Sequence, residues 1–79
     1  MDKQVLITKI NEVIADEFEV DTNVITRDAN IKKLLQLDSL SLVDLVALVE
    51  ENFSVSFKGV DVSNIQTFGA LYDYVYMHI

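Results

Sequence analysis

The chain has 79 residues, with 6 Lys or Arg against 13 Asp or Glu and a net charge of −7 at pH 7. Its 51% hydrophobic content excludes a disordered acidic tail, and the absence of cysteine excludes disulfides and any thiol chemistry of its own. The acidic balance argues against nucleic acid and favours basic protein partners. No secretory signal or membrane span is visible, so we expect one cytoplasmic domain over residues 1–79.

Residues 3 to 18 are predicted to form a first helix, because apolar residues recur there at helical spacing. The stripe consists of Leu6, Ile10, Val13 and Ile14, widened by Ile7 and Phe18. Residues 19 to 37 are rich in Asp, Asn and Thr, which predicts a long loop. Scattered apolar residues are expected to pin this loop to the core: Val20, Val24, Ile25, Ile31 and Leu35.

Residues 39 to 53 give the strongest helix prediction, with Asp38 as the N-cap. Their apolar stripe is Leu42, Leu45, Val46, Val49 and Phe53. Residues 53 to 62 alternate apolar and polar side chains before Lys58-Gly59, a pattern that fits a hairpin as well as a loop.

One helical turn is possible at residues 61 to 65, and Thr67 is predicted to cap a last helix. The apolar stripe of that helix is Phe68, Leu71, Tyr72 and Val75. Together these elements predict an all-α fold, an antiparallel bundle of three longer helices and one short helix.

Asp38-Ser39-Leu40 is the segment at which chemistry is expected. If Asp38 is the cap, Ser39 is the first helical residue and lies beside free backbone N–H groups at the positive end of the helix dipole. A phosphate ester is favourable in such a place. However, Asp-Ser is also ordinary N-cap chemistry, so the tripeptide alone does not establish a site.

The helix that follows Ser39 carries a surface suited to a protein partner. No Lys or Arg occurs from Leu34 to Phe57, whereas four carboxylates do: Asp38, Asp44, Glu50 and Glu51. A second apolar strip lies off the core stripe and consists of Leu40, Val43 and Ala47. Apolar residues rimmed by charge suggest a docking surface, although a solvated helix face with incidental apolar residues would show the same pattern.

Three segments together resemble the acyl carrier protein family: Leu37-Asp38-Ser39-Leu40, Val43-Asp44-Leu45-Val46 and Glu50-Glu51-Asn52-Phe53. The family pattern is a D-S-L centre with V-E-L-V and E-E-x-F close downstream. The resemblance covers nearly the whole chain and includes Ile65-Gln66-Thr67-Phe68 before the last helix. The triplet Asp-Ser-Leu alone is weak evidence for the family. The triplet together with the spacing of the downstream segments, the chain length and the acidity is specific evidence.

The resemblance implies a four-helix bundle with a long loop between helices one and two. It implies that Ser39 receives phosphopantetheine from coenzyme A through a phosphodiester. The cofactor thiol then carries acyl groups as thioesters, and the protein is not an enzyme. Asp38 is implied to assist the Mg²⁺-dependent transfer, and no resident metal site is expected.

The resemblance also implies partners. They are a phosphopantetheinyl transferase and acyl-transferring and chain-elongating enzymes with basic patches, and the carrier is expected to be a monomer. The implied partner-binding residues are Leu40, Val43, Asp44, Ala47, Glu50 and Glu51. The long loop and residues 55 to 65 are expected to flank a cavity for the acyl chain.

The sequence departs from the family pattern at four positions. Ser41 occupies a position where fatty-acid carriers usually have Asp, and Ala47 occupies one where they often have Met. Gln36 replaces a residue that is commonly Gly, and Lys58 replaces one that is commonly Pro. The pathway stays open between fatty-acid, polyketide and specialised-lipid biosynthesis. The alternatives are an aminoacyl or D-alanyl carrier and an unmodified helical interaction module. The family likeness also favours a loop and a short helix over a hairpin at residues 53 to 62.

Two other sites are dismissed on their chemistry. Residues 21 to 32 begin like a calcium-binding loop, but Thr26 replaces its glycine and Lys32 replaces its bidentate glutamate. A small serine hydrolase would pair Ser39 with His78, the only histidine, but the G-x-S-x-G context and a third catalytic member are missing.

Overall fold

The structure is a computed structural model that describes residues 2–59 and 64–79. Its helices are α1 (Lys3–Phe18), α2 (Ile31–Leu35), α3 (Ser39–Phe53) and α4 (Phe68–His78), with a 3-10 turn at Thr22–Val24. Within the described residues there is no strand, and an isolated antiparallel bridge joins Asn30 to Thr67. The predicted all-α fold with three longer helices and one short helix is confirmed, but the short helix that the structure describes is α2, within the stretch of residues 19 to 37 that is predicted to be a loop.

The three longer helices bury their predicted apolar stripes in one core. The buried hydrophobic residues of these helices are Leu6, Ile10 and Ile14 on α1, Leu42, Leu45, Val46 and Val49 on α3, and Phe68, Leu71, Tyr72 and Val75 on α4. Val13 and Phe53 are half-buried at the edges of their stripes. In the part of the chain that is described, no helix is long and apolar enough to cross a membrane.

The beginnings of α3 and α4 follow from side-chain caps. The Asp38 carboxylate accepts the N–H of Ser41, and the Thr67 hydroxyl accepts the N–H of Ala70. Such caps satisfy N–H groups that have no partner within the helix. Both predicted caps, and the predicted range 39 to 53, are therefore confirmed.

The loop predicted for residues 19 to 37 is wrong in part, because it contains α2. Ile31 is 1% exposed, and Leu34 and Leu35 pack partly against the core at the i, i+3, i+4 spacing of a helix face. Val24 is also not a pin, since it is 46% exposed on the 3-10 turn. The other predicted pins do contact or enter the core: Val20, Ile25, Ile31 and Leu35.

Residues 54 to 59 form a loop after α3 with no strand, so the hairpin is excluded there and the loop is confirmed. Ser54 ends α3 with a φ of 55°, the left-handed conformation that lets the chain turn back. The helical turn predicted at residues 61 to 65 includes residues 61–63, which lie outside the described residues.

Main-chain hydrogen bonds attach residues 27–31 to the start of α4. The Gly69 N–H donates to the Arg27 carbonyl oxygen at 2.9 Å, and the Ile31 N–H donates to the Gln66 carbonyl oxygen at 2.9 Å. These bonds hold the chain that leads into α2 against α4, and α2 in turn precedes Asp38.

Gly69→Ala is expected to loosen this attachment and destabilise the protein. A Cβ at Gly69 would lie 2.7 Å from the Arg27 Cγ and 3.1 Å from the Arg27 carbonyl oxygen. Overpacking of this kind costs about 1–3 kcal/mol, of which the better helix propensity of alanine recovers up to about 1 kcal/mol. With an overpacking cost near the middle of that range, urea unfolding is expected to show a net loss of about 1–2 kcal/mol. Gln66→Ala, at an exposed position, is the control and is expected to change stability little. A Gly69→Ala protein as stable as wild type would contradict this packing.

Candidate functional site

The start of α3 places Ser39 where the sequence predicts it, as the first residue of the helix. The preceding Asp38 is extended, with φ −89° and ψ −176°, and its Oδ1 accepts the Ser41 N–H at 2.8 Å. This hydrogen bond is the largest cause that lowers the pKa of the Asp38 carboxyl below its ordinary 3.8. An exposed, ionised carboxylate therefore lies next to Ser39 at neutral pH.

The turn between α2 and α3 positions this pair. Gln36 closes α2 with a φ of 55°, and the Leu37 N–H donates to the Lys32 carbonyl oxygen at 2.9 Å. Glycine adopts a positive φ without the steric cost that other residues incur, which gives a physical reason for the glycine common here in the family that the sequence resembles. The turn before Asp38 is therefore fixed by a hydrogen bond, and the positive φ of Gln36 within it is sterically unfavourable.

Beyond Ser39, α3 presents most of the predicted docking residues to solvent. Leu40 is 78% exposed and Val43 is 54% exposed, and Ala47 is exposed on the same helix. The carboxylates of Asp44 and Glu51 are exposed as well. The structure thus brings an apolar strip and two exposed acidic residues together on the helix that begins at Ser39.

Glu50 differs from the other predicted docking residues. It is half-buried, and its Oε1 accepts the N–H of Phe57 at 3.3 Å. Sequence reasoning missed this contact because seven residues and a reversal of the chain separate the two groups. The only signal in the sequence is that Glu50 directly follows the core residue Val49.

An open pocket of about 350 Å³ lies at the other end of α3. It is lined by Leu6, Asn52, Phe53, Ser54 and Ile79. Since a helix rises 1.5 Å per residue, about 21 Å separate Ser39 from Phe53. The predicted acyl cavity is a different place, flanked by the long loop and residues 55 to 65, and it stays a prediction because residues 60–63 lie outside the described residues.

His78 is the last residue of α4. Its ring stacks on Tyr74 with 4.1 Å between the ring centroids, and its Nδ1 is 2.7 Å from the Tyr74 carbonyl oxygen. The next residue, Ile79, lines the pocket at the Phe53 end of α3. His78 is therefore held against Tyr74 of α4, and its neighbour Ile79 lies near Phe53, about 21 Å along α3 from Ser39. The described backbone gives no support to a Ser39–His78 catalytic pair.

Comparisons with known proteins identify the family. A family model described as the phosphopantetheine attachment site matches residues 8–75. The acyl carrier protein of Rubrobacter xylanophilus is 35% identical over 78 residues, which cover 99% of this chain and 96% of that protein. The acyl carrier protein of Syntrophobacter fumaroxidans is 37% identical over 75 residues, which cover 95% and 93%.

A solved structure agrees with these relatives. The acyl carrier protein from Enterococcus faecalis superposes with a TM-score of 0.79 at 28% identity, over 100% of both chains. The sequence comparisons and the structural comparison therefore indicate the same family over nearly the full length of this chain. The chain belongs to the acyl carrier protein family, whose members hold acyl groups on a phosphopantetheine arm and have no catalytic activity of their own.

Proposed function

We propose that Ser39 carries the phosphopantetheine arm and that the protein delivers acyl thioesters from it to enzymes of fatty-acid or related biosynthesis. The observation that carries this proposal is the place of Ser39, the first residue of α3, between the Asp38 cap and exposed Leu40. The arm supplies a thiol, which the chain itself lacks because it has no cysteine.

Attachment of the arm forms a new bond to a hydroxyl oxygen of this chain. The Ser39 oxygen bonds to the phosphorus nearest to pantetheine in coenzyme A, the phosphoanhydride bond breaks, the adenosine-bearing phosphate leaves, and the hydroxyl proton is released. Asp38 offers an exposed, ionised carboxylate of the hard-oxygen type that Mg²⁺ prefers. We assign Asp38 two roles, as the cap of α3 and as a ligand for Mg²⁺ during the transfer.

The docking surface that we propose consists of five exposed residues of α3: Leu40, Val43, Asp44, Ala47 and Glu51. Its apolar strip and carboxylates suit a transferase or an acyl-transferring enzyme with a basic patch around an apolar contact. Charge attraction of this kind speeds the encounter more than it tightens the complex. A shuttle that must leave each enzyme again is served by that balance.

One core cluster contains buried residues from all four helices, which supports a single domain over residues 1–79. We propose that this domain works as a monomer, and light scattering of the purified protein tests that. A dimer at the concentration used for loading would contradict it. The cytoplasmic location stays a prediction from the sequence.

Mass spectrometry of the intact protein tests the function. The purified, folded protein is incubated with coenzyme A, Mg²⁺ and a phosphopantetheinyl transferase of broad specificity. A second incubation uses the phosphopantetheinyl transferase of the organism from which the protein comes. Addition of one phosphopantetheine is the expected result. A folded, unmodified protein that neither transferase loads would instead support the unmodified interaction module.

Reversal of charge on the docking surface is expected to slow loading. In the variant Asp44→Lys with Glu51→Lys, the initial rate at low salt is expected to fall about tenfold or more, because electrostatic steering raises association rates by such factors. The dependence of the rate on ionic strength is expected to flatten.

The matched control is Glu12→Lys with Asp16→Lys, two exposed positions on α1 that give the same change in net charge. If the control slows loading as much as the α3 variant, net charge and not the docking surface sets the rate.

A further inference from the structure

The loop after α3 is held at several points. Val55 is 3% exposed and Phe57 is 4% exposed, so two side chains of the loop enter the core. The Phe57 ring stacks on Tyr74 with 4.5 Å between the ring centroids, and the Tyr74 hydroxyl donates to the Ser56 carbonyl oxygen at 2.6 Å. These contacts fasten the loop to α4 and to the core.

The hydrogen bond to Glu50 is the contact that fastens the loop to α3. The Phe57 N–H donates to the Glu50 Oε1 at 3.3 Å, and no other acceptor for this N–H occurs within residues 2–59 and 64–79. A buried backbone N–H without a partner is unfavourable. The carboxylate of Glu50 therefore satisfies a backbone N–H for which the described residues 54–59 offer no other acceptor.

The position of Glu50 on α3 differs from that of the exposed acidic residues Asp44 and Glu51. Val46 and Val49 lie on the core side of the helix, and Glu50 lies at the boundary between that side and solvent. Glu51, one residue further, is fully on the solvent side. Two adjacent glutamates of the same helix thus have different surroundings.

We infer that Glu50 is a positioning residue that holds residues 54–59 against α3 through Phe57, and that it does not recognise partners by its charge. Only the second part of this inference, that the charge of Glu50 does not recognise partners, rests on the proposed function. Phe57 and Val55 lie in the stretch 55 to 65 that is predicted to flank the acyl cavity. Changes at Glu50 therefore act on that side of the protein, while Asp44 and Glu51 supply the docking charge.

Two conservative variants separate the effect of the length of the Glu50 side chain from the effect of its charge. Glu50→Gln removes the charge but keeps an oxygen at the same distance along the side chain, so it retains the acceptor for the Phe57 N–H. Glu50→Asp keeps the charge but withdraws the oxygen by one methylene. Positioning predicts that Gln preserves and Asp loses the contact, whereas charge recognition predicts the opposite order for partner binding.

The first readout is hydrogen exchange at the Phe57 amide of the unmodified protein, followed by NMR. Its protection factor is expected to stay within about twofold of wild type in Glu50→Gln and to fall at least about threefold in Glu50→Asp and Glu50→Ala, the size expected for one hydrogen bond. Glu51→Gln and Glu51→Ala are the matched controls and are expected to leave it unchanged. Unchanged protection in both Glu50→Asp and Glu50→Ala would overturn the inference.

The second readout is the ionic-strength dependence of loading by coenzyme A, Mg²⁺ and a phosphopantetheinyl transferase. Glu50→Gln is expected to keep the wild-type dependence, while Glu51→Gln is expected to weaken it. If Glu50→Gln weakens it as much as Glu51→Gln does, Glu50 is a docking charge and the inference fails. If wild type is not loaded at all, the proposed function fails, and the exchange at Phe57 still decides the role of Glu50.

Discussion

The Ser39→Ala protein is expected to keep its unmodified mass after incubation with coenzyme A, Mg²⁺ and a phosphopantetheinyl transferase, while its helical circular dichroism and melting temperature stay close to those of wild type. The cap of α3 is made by the Asp38 carboxylate and the Ser41 N–H at 2.8 Å, and neither group is altered. Alanine also has the highest helix propensity. Loss of loading is therefore expected without loss of fold.

Ser41→Ala is the matched control for this variant. It removes a hydroxyl two residues away on the same helix and keeps the backbone N–H that Asp38 caps. It is expected to load at a rate near that of wild type. If Ser39→Ala still gains the arm, the attachment residue is wrong, and if it unfolds, Ser39 has a structural role that the cap geometry does not explain.

Phe68→Ala is expected to have the largest effect on stability. Phe68 is 0% exposed, it is the first residue of α4, and its N–H donates to the Ala29 carbonyl oxygen at 3.3 Å. Truncation of a buried Phe costs about 3–5 kcal/mol, a large part of the stability of a small domain. The melting temperature is expected to fall by at least about 12 °C, since each kcal/mol is about 4–8 °C at this size.

Phe53→Ala tests whether burial causes that loss. Phe53 is half-buried at the end of α3 and borders the open pocket, so its truncation leaves less of a closed cavity. Its loss of unfolding free energy in urea is expected to be smaller than that of Phe68→Ala. Equal losses would show that the core is not centred where the structure places it.

Helices α3 and α4 could be predicted from the sequence because their signals are local. Asp38 and Thr67 are strong N-cap residues, and each is followed by an apolar stripe of helical period. With no proline in the chain, nothing interrupts these stripes. The position of Ser39 at the start of α3 follows from the same cap, so the central part of the candidate site was predictable.

Helix α2 could not be predicted with the same ease, because it is only one turn and a half long. Ile31, Leu34 and Leu35 have the spacing of a helix face. Three apolar residues are nevertheless a weaker signal than the turn-forming residues that surround them. Main-chain hydrogen bonds to α4 and to the residues just before it hold this part of the chain in place, such as the bond from the Ile31 N–H to the Gln66 carbonyl oxygen at 2.9 Å. Tertiary contacts therefore decide it.

The role of Glu50 shows a second limit of the sequence. The pattern E-E-N-F groups Glu50 with Glu51, since both are acidic and adjacent. Which carboxylate is free depends on where the chain returns after Ser54, and that return brings the Phe57 N–H to 3.3 Å from Glu50. Helical periodicity describes the faces of α3 but not what packs at their boundary.

Tandem mass spectrometry of the loaded protein after trypsin digestion tests the central claim most directly. No Lys or Arg occurs between Lys33 and Lys58, so one peptide, residues 34 to 58, contains Ser39, Ser41 and two later serines. Fragment masses are expected to place one phosphopantetheine on Ser39. An arm on Ser41 or on any other residue would contradict the proposed site.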